Sequence, residues 1–483
     1  MVMEKLIGRK SEWEELSRAM ESSRSEFVIL YGRRRIGKTF LVRSFFQDRF
    51  DFYYTGAHRM PTSFQLHSFQ RELIRYSRNA DIPAFSNWME AFEQLEDYLE
   101  SLAPNQRKVL FFDEMPWIDA KQSDFVSALE YFWNSWVSRR DDIVLVACGS
   151  ATSWMADKLL NNAGGLHNRI TRQIYLRPFT LRECRDFLTS RNVDWDDYQI
   201  IQCYMLFGGV PYYWRLLEPR LSLPENVDRL CFQKSGAMRG EFDELYNALF
   251  SNAERYIDVV RVLAQNRDGM LRNEIAQATG LSGGTLTKIL KNLDRCDFIA
   301  PYSQFGKRTK NTLYRLVDFF TLFYFKFLEG EHSYEESFWT HHFRSPQVAA
   351  WEGLTFELVC LAHLAQIKHA LGIAGMETHV SAWRYVPPRN PLHDLPTRGA
   401  QIDLLIARAD KLIHLCEIKF TDGKYFITKE YEQRLRERME IFRQITKTNS
   451  GLVHTFVTPF GVAEGSHHSI VHSEIIGQDL FAK

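Results

Sequence analysis

The distribution of apolar positions divides the first third of the chain into strand-length and helix-length stretches. Five short stretches rich in apolar or aromatic residues are candidate strands: 26–31, 50–55, 108–114, 142–150 and 168–176. The near-continuous apolar runs among them are typical of parallel strands buried on both faces. Residues 62–104, which lie between two of these runs, have helical periodicity instead. This alternation predicts an α/β fold built on a parallel sheet.

The first candidate strand leads into the loop G-R-R-R-I-G-K-T and then into an amphipathic helix. Its glycines let backbone N–H groups turn toward phosphate oxygens, and the positive end of the helix dipole adds to the attraction. Lys38 is predicted to contact the β- and γ-phosphates of ATP, and Thr39 to offer its hydroxyl to Mg²⁺. The residues predicted to contact the nucleotide in this loop are Gly32, Arg33, Arg34, Arg35, Ile36, Gly37, Lys38 and Thr39.

Two carboxylates and a serine follow later strands, at the edge where parallel strands present ligands. Asp113 is predicted to complete the Mg²⁺ shell, and Glu114 to polarise the attacking water. Ser150 is a candidate sensor of the γ-phosphate, although a simple Gly-Ser turn is an alternative. Arg169 and Arg172 are candidate arginine fingers for a neighbouring subunit, and ordinary surface arginines are the alternative.

These motifs, in this order, resemble the archaeal-type ATPase family, whose members are AAA+/STAND-like P-loop NTPases. The resemblance covers about residues 3–235, and the segments that carry it share their order and spacing with the family: 31–39, 112–114, 148–150, 176–179 and 207–213. It implies a five-stranded parallel sheet followed by a small helical lid. Ser150 stands where an asparagine is more usual, so its role as a sensor is the weakest part of the correspondence.

Residues 251–318 have a different pattern of apolar positions, which predicts three short helices followed by a hairpin. This arrangement resembles a winged helix-turn-helix, which implies duplex DNA as a partner. Lys288 on the third helix is predicted to face the major groove, and the hairpin cations Lys307, Arg308 and Lys310 to contact phosphates. A packing or protein-docking module is the alternative, because the third helix carries few cations.

The C-terminal third contains two strands joined by a turn at Asp410-Lys411. Glu417 and Lys419 are two apart on the second strand, so both point to one face. With Asp403 from the first strand and Glu357 from a preceding helix, three carboxylates and one amine are expected to converge, with Asp403 and Glu417 as Mg²⁺ ligands. The set resembles the PD-(D/E)xK nuclease superfamily, which implies a restriction-endonuclease-like α/β domain. A solvated charge pair on an edge strand is the alternative.

Composition restricts the remaining function classes. Lys+Arg and Asp+Glu balance at 60 each, so the case for nucleic acid rests on local patches rather than on net charge. The seven cysteines are scattered and contain no C-x-x-C pair, which is typical of reduced thiols in a cytoplasmic protein. The first residues lack an apolar signal core, and no apolar run is long enough to span a bilayer.

At 483 residues the chain is expected to form several domains. The predicted divisions run from an ATPase core through a lid, a winged helix and connecting helices to the nuclease-like domain: 1–180, 181–250, 251–318, 319–350 and 351–483. The leading hypothesis is an ATPase, with ATP and Mg²⁺ as cofactors, whose nucleotide state regulates a nuclease acting on DNA. The alternative is a STAND-like assembly switch, a homo-oligomer in which the C-terminal domain only binds a partner.

Overall fold

The structure is a computed structural model. It describes residues 6–482 with the exception of residues 105, 151, 161–165, 167, 267, 303, 307–311, 331–334 and 389–394. The chain divides into two compact units, Met1–Pro178 and Phe179–Lys483, and each is described by itself below.

The first unit is built on a five-stranded sheet with the strand order β2-β3-β4-β1-β5. All neighbouring strands are parallel, which confirms the predicted sheet. The strands are β1 (Glu26–Tyr31), β2 (Phe52–Thr55), β3 (Lys108–Asp113), β4 (Ile143–Gly149) and β5 (Arg172–Tyr175). Because β1 lies inside the sheet, between β4 and β5, the loop after it lies at the carboxyl edge, where phosphates bind in such sheets.

Helices cover both faces of this sheet and bury its apolar side chains. They are α1 (Lys10–Glu21), α2 (Lys38–Phe46), α3 (Thr62–Ser77), α4 (Trp88–Ser101), α5 (Met115–Ile118), α6 (Phe125–Ser135) and α7 (Thr152–Trp154), with short helical turns at Val137–Arg139 and Met155–Leu160. One face buries an aromatic cluster that includes Phe69, Trp88 and Phe112. The other face packs residues of α1 and α2, among them Leu16 and Leu41, against β1 and β4. The two-sided burial explains why the strands are apolar throughout.

The second unit begins with helices over the range predicted to form a lid. These are α8 (Leu181–Ser190), α9 (Asp197–Phe207), α10 (Pro211–Arg215), α11 (Leu223–Val227) and α12 (Glu241–Leu249), with a helical turn at Asp228–Phe232. Gly209 lies between α9 and α10, where a Cβ would come within 1.9 Å of the carbonyl oxygen of Phe179. The glycine is therefore required by close backbone approach, and Phe179 N–H donates to the Gly209 carbonyl at 2.6 Å.

The next part of the second unit, here called the middle module, spans residues 253–316. It contains three helices and a small antiparallel sheet with the strand order β6-β8-β7. Its elements are α13 (Ala253–Gln265), β6 (Met270–Leu271), α14 (Arg272–Thr279), α15 (Gly283–Arg295), β7 (Ile299–Tyr302) and β8 (Leu313–Leu316). Helices and hairpin lie where the sequence pattern predicts them, because each helix presents a regular apolar stripe and Gly280 ends α14 in the left-handed conformation.

The C-terminal part of the second unit is a mixed five-stranded sheet with the order β13-β12-β11-β10-β9. Strands β9, β10 and β11 are antiparallel neighbours, whereas β11, β12 and β13 are parallel. The strands are β9 (Thr378–Tyr385), β10 (Ala400–Arg408), β11 (Leu412–Ile418), β12 (Gly451–Thr458) and β13 (Val471–Ile476). The helices are α16 (Phe319–Phe323), α17 (Phe338–His342), α18 (Pro346–Ala362), α19 (Leu364–Ala370) and α20 (Lys429–Thr446), with helical turns at Tyr324–Leu328, His468–Ile470 and Gly477–Phe481.

All seven cysteines are buried, and none of them forms a disulfide bond. Among the described residues, no single helix has both the length and the apolar composition needed to cross a bilayer. Helices α18 and α19 reach that length only when taken together, and they are bent by 77° relative to each other.

A buried carboxyl group lies where α18 packs on α9. Glu352 is 8% exposed, and Gln202 Nε2 donates to its Oε1 at 2.8 Å. Burial raises the pKa of Glu352 from 4.5 to about 7. The folded protein therefore retains a proton that the unfolded chain releases, so stability falls as the pH rises from about 4.5 through 7.

We predict that Glu352→Gln stabilises the protein at pH 8, by about 1–3 kcal/mol in the free energy of unfolding. The glutamine preserves the oxygen that accepts from Gln202 and removes the buried charge. Urea denaturation at pH 8 and pH 5 measures the effect, and the gain should shrink at pH 5. Equal gains at the two pH values would show that the carboxyl charge is not the cause.

Candidate functional site

The loop between β1 and α2 has the backbone of a phosphate-binding loop. Gly32 has φ 147° and Gly37 has φ 88°, both in regions that L side chains rarely adopt. Helix α2 begins at Lys38, directly after Gly37. The N-terminal N–H groups of α2 therefore follow the loop without an intervening residue, which is the arrangement that binds anions.

Lys38 is folded back over this loop. Its side chain is buried, and Nζ donates to the carbonyl oxygens of Gly32 at 3.1 Å and Arg33 at 2.8 Å. A buried ammonium group needs such partners, because an unsolvated charge is costly. The contacts hold the cation at the loop, where it can meet a triphosphate.

The carboxylate of Asp113, at the end of β3, is the meeting point of several donors. Thr39 Oγ1 lies 3.1 Å and 3.0 Å from its two oxygens, and Cys148 Sγ lies 3.0 Å from Oδ1. The backbone N–H of Glu114 also donates to Oδ1 at 3.0 Å. A hydroxyl and a carboxylate thus face each other beside Lys38, and oxygen donors of this kind suit Mg²⁺.

Glu114 turns away from the strand in the left-handed region, at φ 46°. Its carboxylate accepts from the Ser150 hydroxyl at 3.1 Å and 2.9 Å and from the Ser150 N–H at 3.2 Å. Burial raises the pKa of Glu114, while the charge of Lys38 and the Ser150 hydrogen bonds oppose that increase. The sequence indicated both residues but not that Ser150 would contact Glu114.

The two arginine-finger candidates lie in different surroundings. Arg172, on β5, pairs through Nη1 with Glu15 at 3.0 Å and through Nε with Glu26 at 3.5 Å. Glu26 is the first residue of β1, so this side chain is directed to the end of the sheet opposite the phosphate loop. Arg172 is therefore an ion-pair partner within this unit, and its role as an arginine finger stays a prediction. Arg169 is exposed in the turn before β5, and its role stays a prediction.

In the second unit, Glu357 and Asp403 line one cleft of about 920 Å³. Arg315 Nη2 binds Glu357 Oε2 at 3.1 Å, and Gln401 Nε2 donates to Asp403 Oδ1 at 2.7 Å. Burial raises the pKa of Glu357 to about 7, with a further increase from Asp403 and a decrease from Arg315 and Lys419. The register of β10 on β9 is interrupted between Ile402 and Leu405, so Asp403 lies in a bulge, a feature frequent beside active sites.

Glu417 lies on β11 under helix α20. Tyr431 O–H donates to Glu417 Oε2 at 2.7 Å, and Arg438 Nη1 donates to Oε1. Lys419 Nζ is 4.0 Å from Glu417 Oε2 and 5.3 Å from the centre of the Tyr431 ring. Leu404 pairs with Cys416, so Asp403 and Glu417 are the next residues along the two neighbouring strands.

The expected convergence of three carboxylates and one amine is therefore met only in part. Glu357 and Asp403 share a cleft, whereas both oxygens of Glu417 are engaged by α20. Within the described part of the chain, no group of three or more His, Cys, Asp or Glu side chains is arranged to hold a metal ion. The predicted C-terminal Mg²⁺ ligands Asp403 and Glu417 do not form a ready-made metal centre in this arrangement.

Only one of the four DNA-binding candidates can be located. Lys288 is exposed on α15. Lys307, Arg308 and Lys310 lie outside the described residues.

Comparison with known proteins agrees with the geometry of the first site. A family described as an ATPase domain predominantly from Archaea matches residues 6–217. The matched residues, here called the ATPase domain, make up less than half of the chain. The ATPase domain thus contains the phosphate loop, Asp113, Glu114 and Ser150.

Two relatives from Methanocaldococcus jannaschii resemble the chain over very different lengths. One uncharacterised protein is 24% identical over 423 residues, which cover 86% of this chain and 88% of the relative. An uncharacterised ATP-binding protein is 42% identical over 43 residues, which cover 9% of this chain and 73% of the relative. A Walker-type ATPase of Pyrococcus abyssi has 18% identity and a TM-score of 0.47, covering 66% of this chain and 96% of its own.

Several residues around the candidate sites are not apparent from the sequence. In the ATPase domain this applies to the thiol of Cys148, and in the second unit to Arg315, Gln401, Tyr431 and Arg438. Gln401 is only two residues from Asp403, whereas the other residues are distant from their partners in the sequence, so no local motif predicts their contacts. The sequence of 429–444 is rich in arginine, which by itself favours contact with phosphate rather than a bond to Glu417.

We predict that Gly32→Ala disrupts the ATPase domain locally. A Cβ at Gly32 would lie 2.4 Å from the Leu176 carbonyl oxygen and 2.7 Å from Ile36 Cδ1. Such overpacking should reduce the free energy of unfolding by about 1–3 kcal/mol and weaken ATP binding at least about tenfold. Chemical denaturation and isothermal titration calorimetry measure the two effects.

Gly284→Ala is the control, because a Cβ there meets nothing within 4 Å and the residue lies in helix α15. It should leave ATP affinity unchanged and stability equal or slightly higher. Equal ATP affinity in wild type and Gly32→Ala would contradict the assigned role of the loop.

Proposed function

We propose that this protein is an ATPase whose nucleotide state regulates a Mg²⁺-dependent nuclease-type site acting on DNA. The ATPase part follows from the family of residues 6–217. The nuclease part is supported by one observation above all: Asp403 and Glu417 lie on neighbouring strands, with Lys419 at 4.0 Å from Glu417 and Glu357 electrostatically coupled to both Asp403 and Lys419.

In the ATPase domain, residues 32–39 would wrap the triphosphate, with Lys38 neutralising its β- and γ-phosphates. Thr39 and Asp113 would hold Mg²⁺, and their facing oxygens, 3.0 Å apart, support that assignment. Glu114 would take a proton from the attacking water. A general base works best with a pKa near the working pH, and burial moves Glu114 in that direction.

In the second unit, Asp403 and Glu417 would supply oxygen ligands to Mg²⁺, and Glu357 would add a third carboxylate beside them. Lys419 would hold or polarise the water that attacks phosphorus, with loss of one ester oxygen to the leaving strand. For Glu417 to bind metal, its hydrogen bonds to Tyr431 and Arg438 must open. The exposed Lys288 would face the major groove of DNA, and Lys307, Arg308 and Lys310 would contact its phosphates.

The alternative, a nucleotide-dependent assembly switch, is favoured by a specific observation. Tyr431 and Arg438 already satisfy both carboxylate oxygens of Glu417, as in a purely structural ion pair. In this case ATP would set the oligomeric state of the chain, and the C-terminal domain would bind a partner without cleaving it. Sedimentation velocity with and without ATP, run beside a nuclease assay, distinguishes the two functions.

We predict that Ser150→Ala lowers kcat for ATP hydrolysis at pH 7 by roughly three- to tenfold. The Ser150 hydroxyl lowers the pKa of Glu114, so its removal leaves more of this base protonated at neutral pH. The acidic limb of the pH–kcat profile should move to higher pH. Ser138→Ala, at an exposed hydroxyl bonded to the Asn134 carbonyl, is the control. An unshifted profile would exclude Ser150 from tuning Glu114.

We predict that Asp403→Asn and Glu417→Gln each reduce Mg²⁺-dependent DNA cleavage at least about a hundredfold, because each removes a charged metal ligand. Supercoiled, linear and single-stranded DNA, with and without ATP, are the substrates. Asp410→Asn is the matched control, since Asp410 is exposed in the turn of the same hairpin. Cleavage that survives both substitutions, or its absence in the wild type on every substrate, would leave the assembly switch as the function.

A further inference from the structure

The middle module reaches directly into the cleft that contains Glu357 and Asp403. Arg315, on β8, binds the Glu357 carboxylate at 3.1 Å, and the two side chains are only 13% and 16% exposed. An ion pair this shielded from water is held firmly, because either charge would be poorly solvated alone. The carboxylate that the proposed function assigns to the nuclease-type site is therefore neutralised by a neighbouring module.

A second residue of the middle module, Asp268, is linked to Asp403 through Gln401. Asp268, which precedes β6 of the middle module, accepts from Arg384 Nη1 at 2.7 Å and from Gln401 Nε2 at 2.8 Å. The same Gln401 amide nitrogen donates to Asp403 at 2.7 Å. Gln401 thus bridges one carboxylate from the module and one from the candidate site, and it is fixed by both.

Backbone pairing also attaches the middle module to the C-terminal sheet, close to these side-chain contacts. Gln304 forms a β-bridge with Ala382 of β9, and Phe305 N–H donates to the Ala382 carbonyl at 2.9 Å. The Phe305 ring lies 5.1 Å from the Phe442 ring of α20. The hairpin of the module is therefore joined at Gln304 and Phe305 to β9, the edge strand of the C-terminal sheet. Main-chain hydrogen bonds of this kind can form and break reversibly.

We propose that the middle module is a latch that holds the C-terminal site closed, with Arg315 on Glu357 and Asp268, through Gln401, on Asp403. The inference rests on the proposed nuclease-type function and adds its regulation. The ligand that opens the latch is a phosphodiester chain. Its phosphates match the planar fork of a guanidinium at least as well as a carboxylate does, and can therefore draw Arg315 off Glu357. Glu357 and Asp403 then become available to a divalent cation.

The test is Mn²⁺ binding and DNA cleavage by the full chain without nucleotide. Arg315→Gln and Gln401→Ala should each bind Mn²⁺ about tenfold more tightly than wild type, because a contact that competes for Glu357 or Asp403 is gone. Asp403→Asn added to either variant should abolish that gain. Arg261→Gln, which removes the 2.7 Å pair between Arg261 and Glu329 elsewhere in the unit, should behave as wild type.

A measurement on the wild type keeps the test independent of variant folding. Adding DNA should increase amide hydrogen exchange at Phe305, since its N–H leaves the Ala382 carbonyl of β9 when the latch opens. Unchanged exchange in the presence of bound DNA would overturn the latch. So would a folded Arg315→Gln variant with wild-type or weaker Mn²⁺ affinity.

The outcomes also separate the latch from the proposed function. Tighter Mn²⁺ binding in both variants without cleavage by any form would retain the latch and remove the nuclease. Cleavage by the wild type at the same rate as by Arg315→Gln would retain the nuclease and remove the latch.

Discussion

The hydrogen bonds to the carboxylate of Asp113 are the interaction on which the candidate site of the first unit depends. This carboxylate accepts the Thr39 hydroxyl from the start of α2, the Cys148 thiol from β4 and the N–H of Glu114. Two other chain segments, α2 and β4, are thereby tied to the end of one buried strand. The strand is buried and apolar on both faces, so packing fixes its position. The carboxylate at its end is held in place with it. The start of helix α2, strand β4 and the backbone of Glu114 are held together by this single residue.

The difference between local motifs and contacts between distant segments explains how much of the fold and of the sites could be predicted from the sequence. The phosphate loop, its strand and its helix are local, so glycine spacing and an apolar run suffice to predict them. The hairpin of β10 and β11 was predicted for the same reason, with Lys411 at positive φ in its turn. The partners of Arg172 and the bulge at Asp403 were not predicted, because they depend on register between distant strands. Strands β9, β12 and β13 carry no motif and were not anticipated.

The two candidate sites differ in how ready they are for chemistry. In the ATPase domain, the cation of Lys38 and the facing oxygens of Thr39 and Asp113 are already in place. In the second unit, each carboxylate is occupied by a protein donor: Glu357 by Arg315 and Glu417 by Arg438. A preorganised site suits continuous turnover, whereas an occupied site suits control by a ligand that displaces the donor. The pairing of a ready site and a restrained one is the structural basis of the proposed regulation.

The measurement that tests the central claim most directly is the Mg²⁺ dependence of ATP affinity in wild type and Asp113→Asn. If Thr39 and Asp113 hold the metal of the nucleotide, Mg²⁺ should tighten ATP binding to the wild type by about tenfold or more. In Asp113→Asn this tightening should disappear, while metal-free ATP affinity stays near the wild-type value. An equal Mg²⁺ effect in the two proteins would contradict the account, since the carboxylate around which the site is built would then not be a metal ligand.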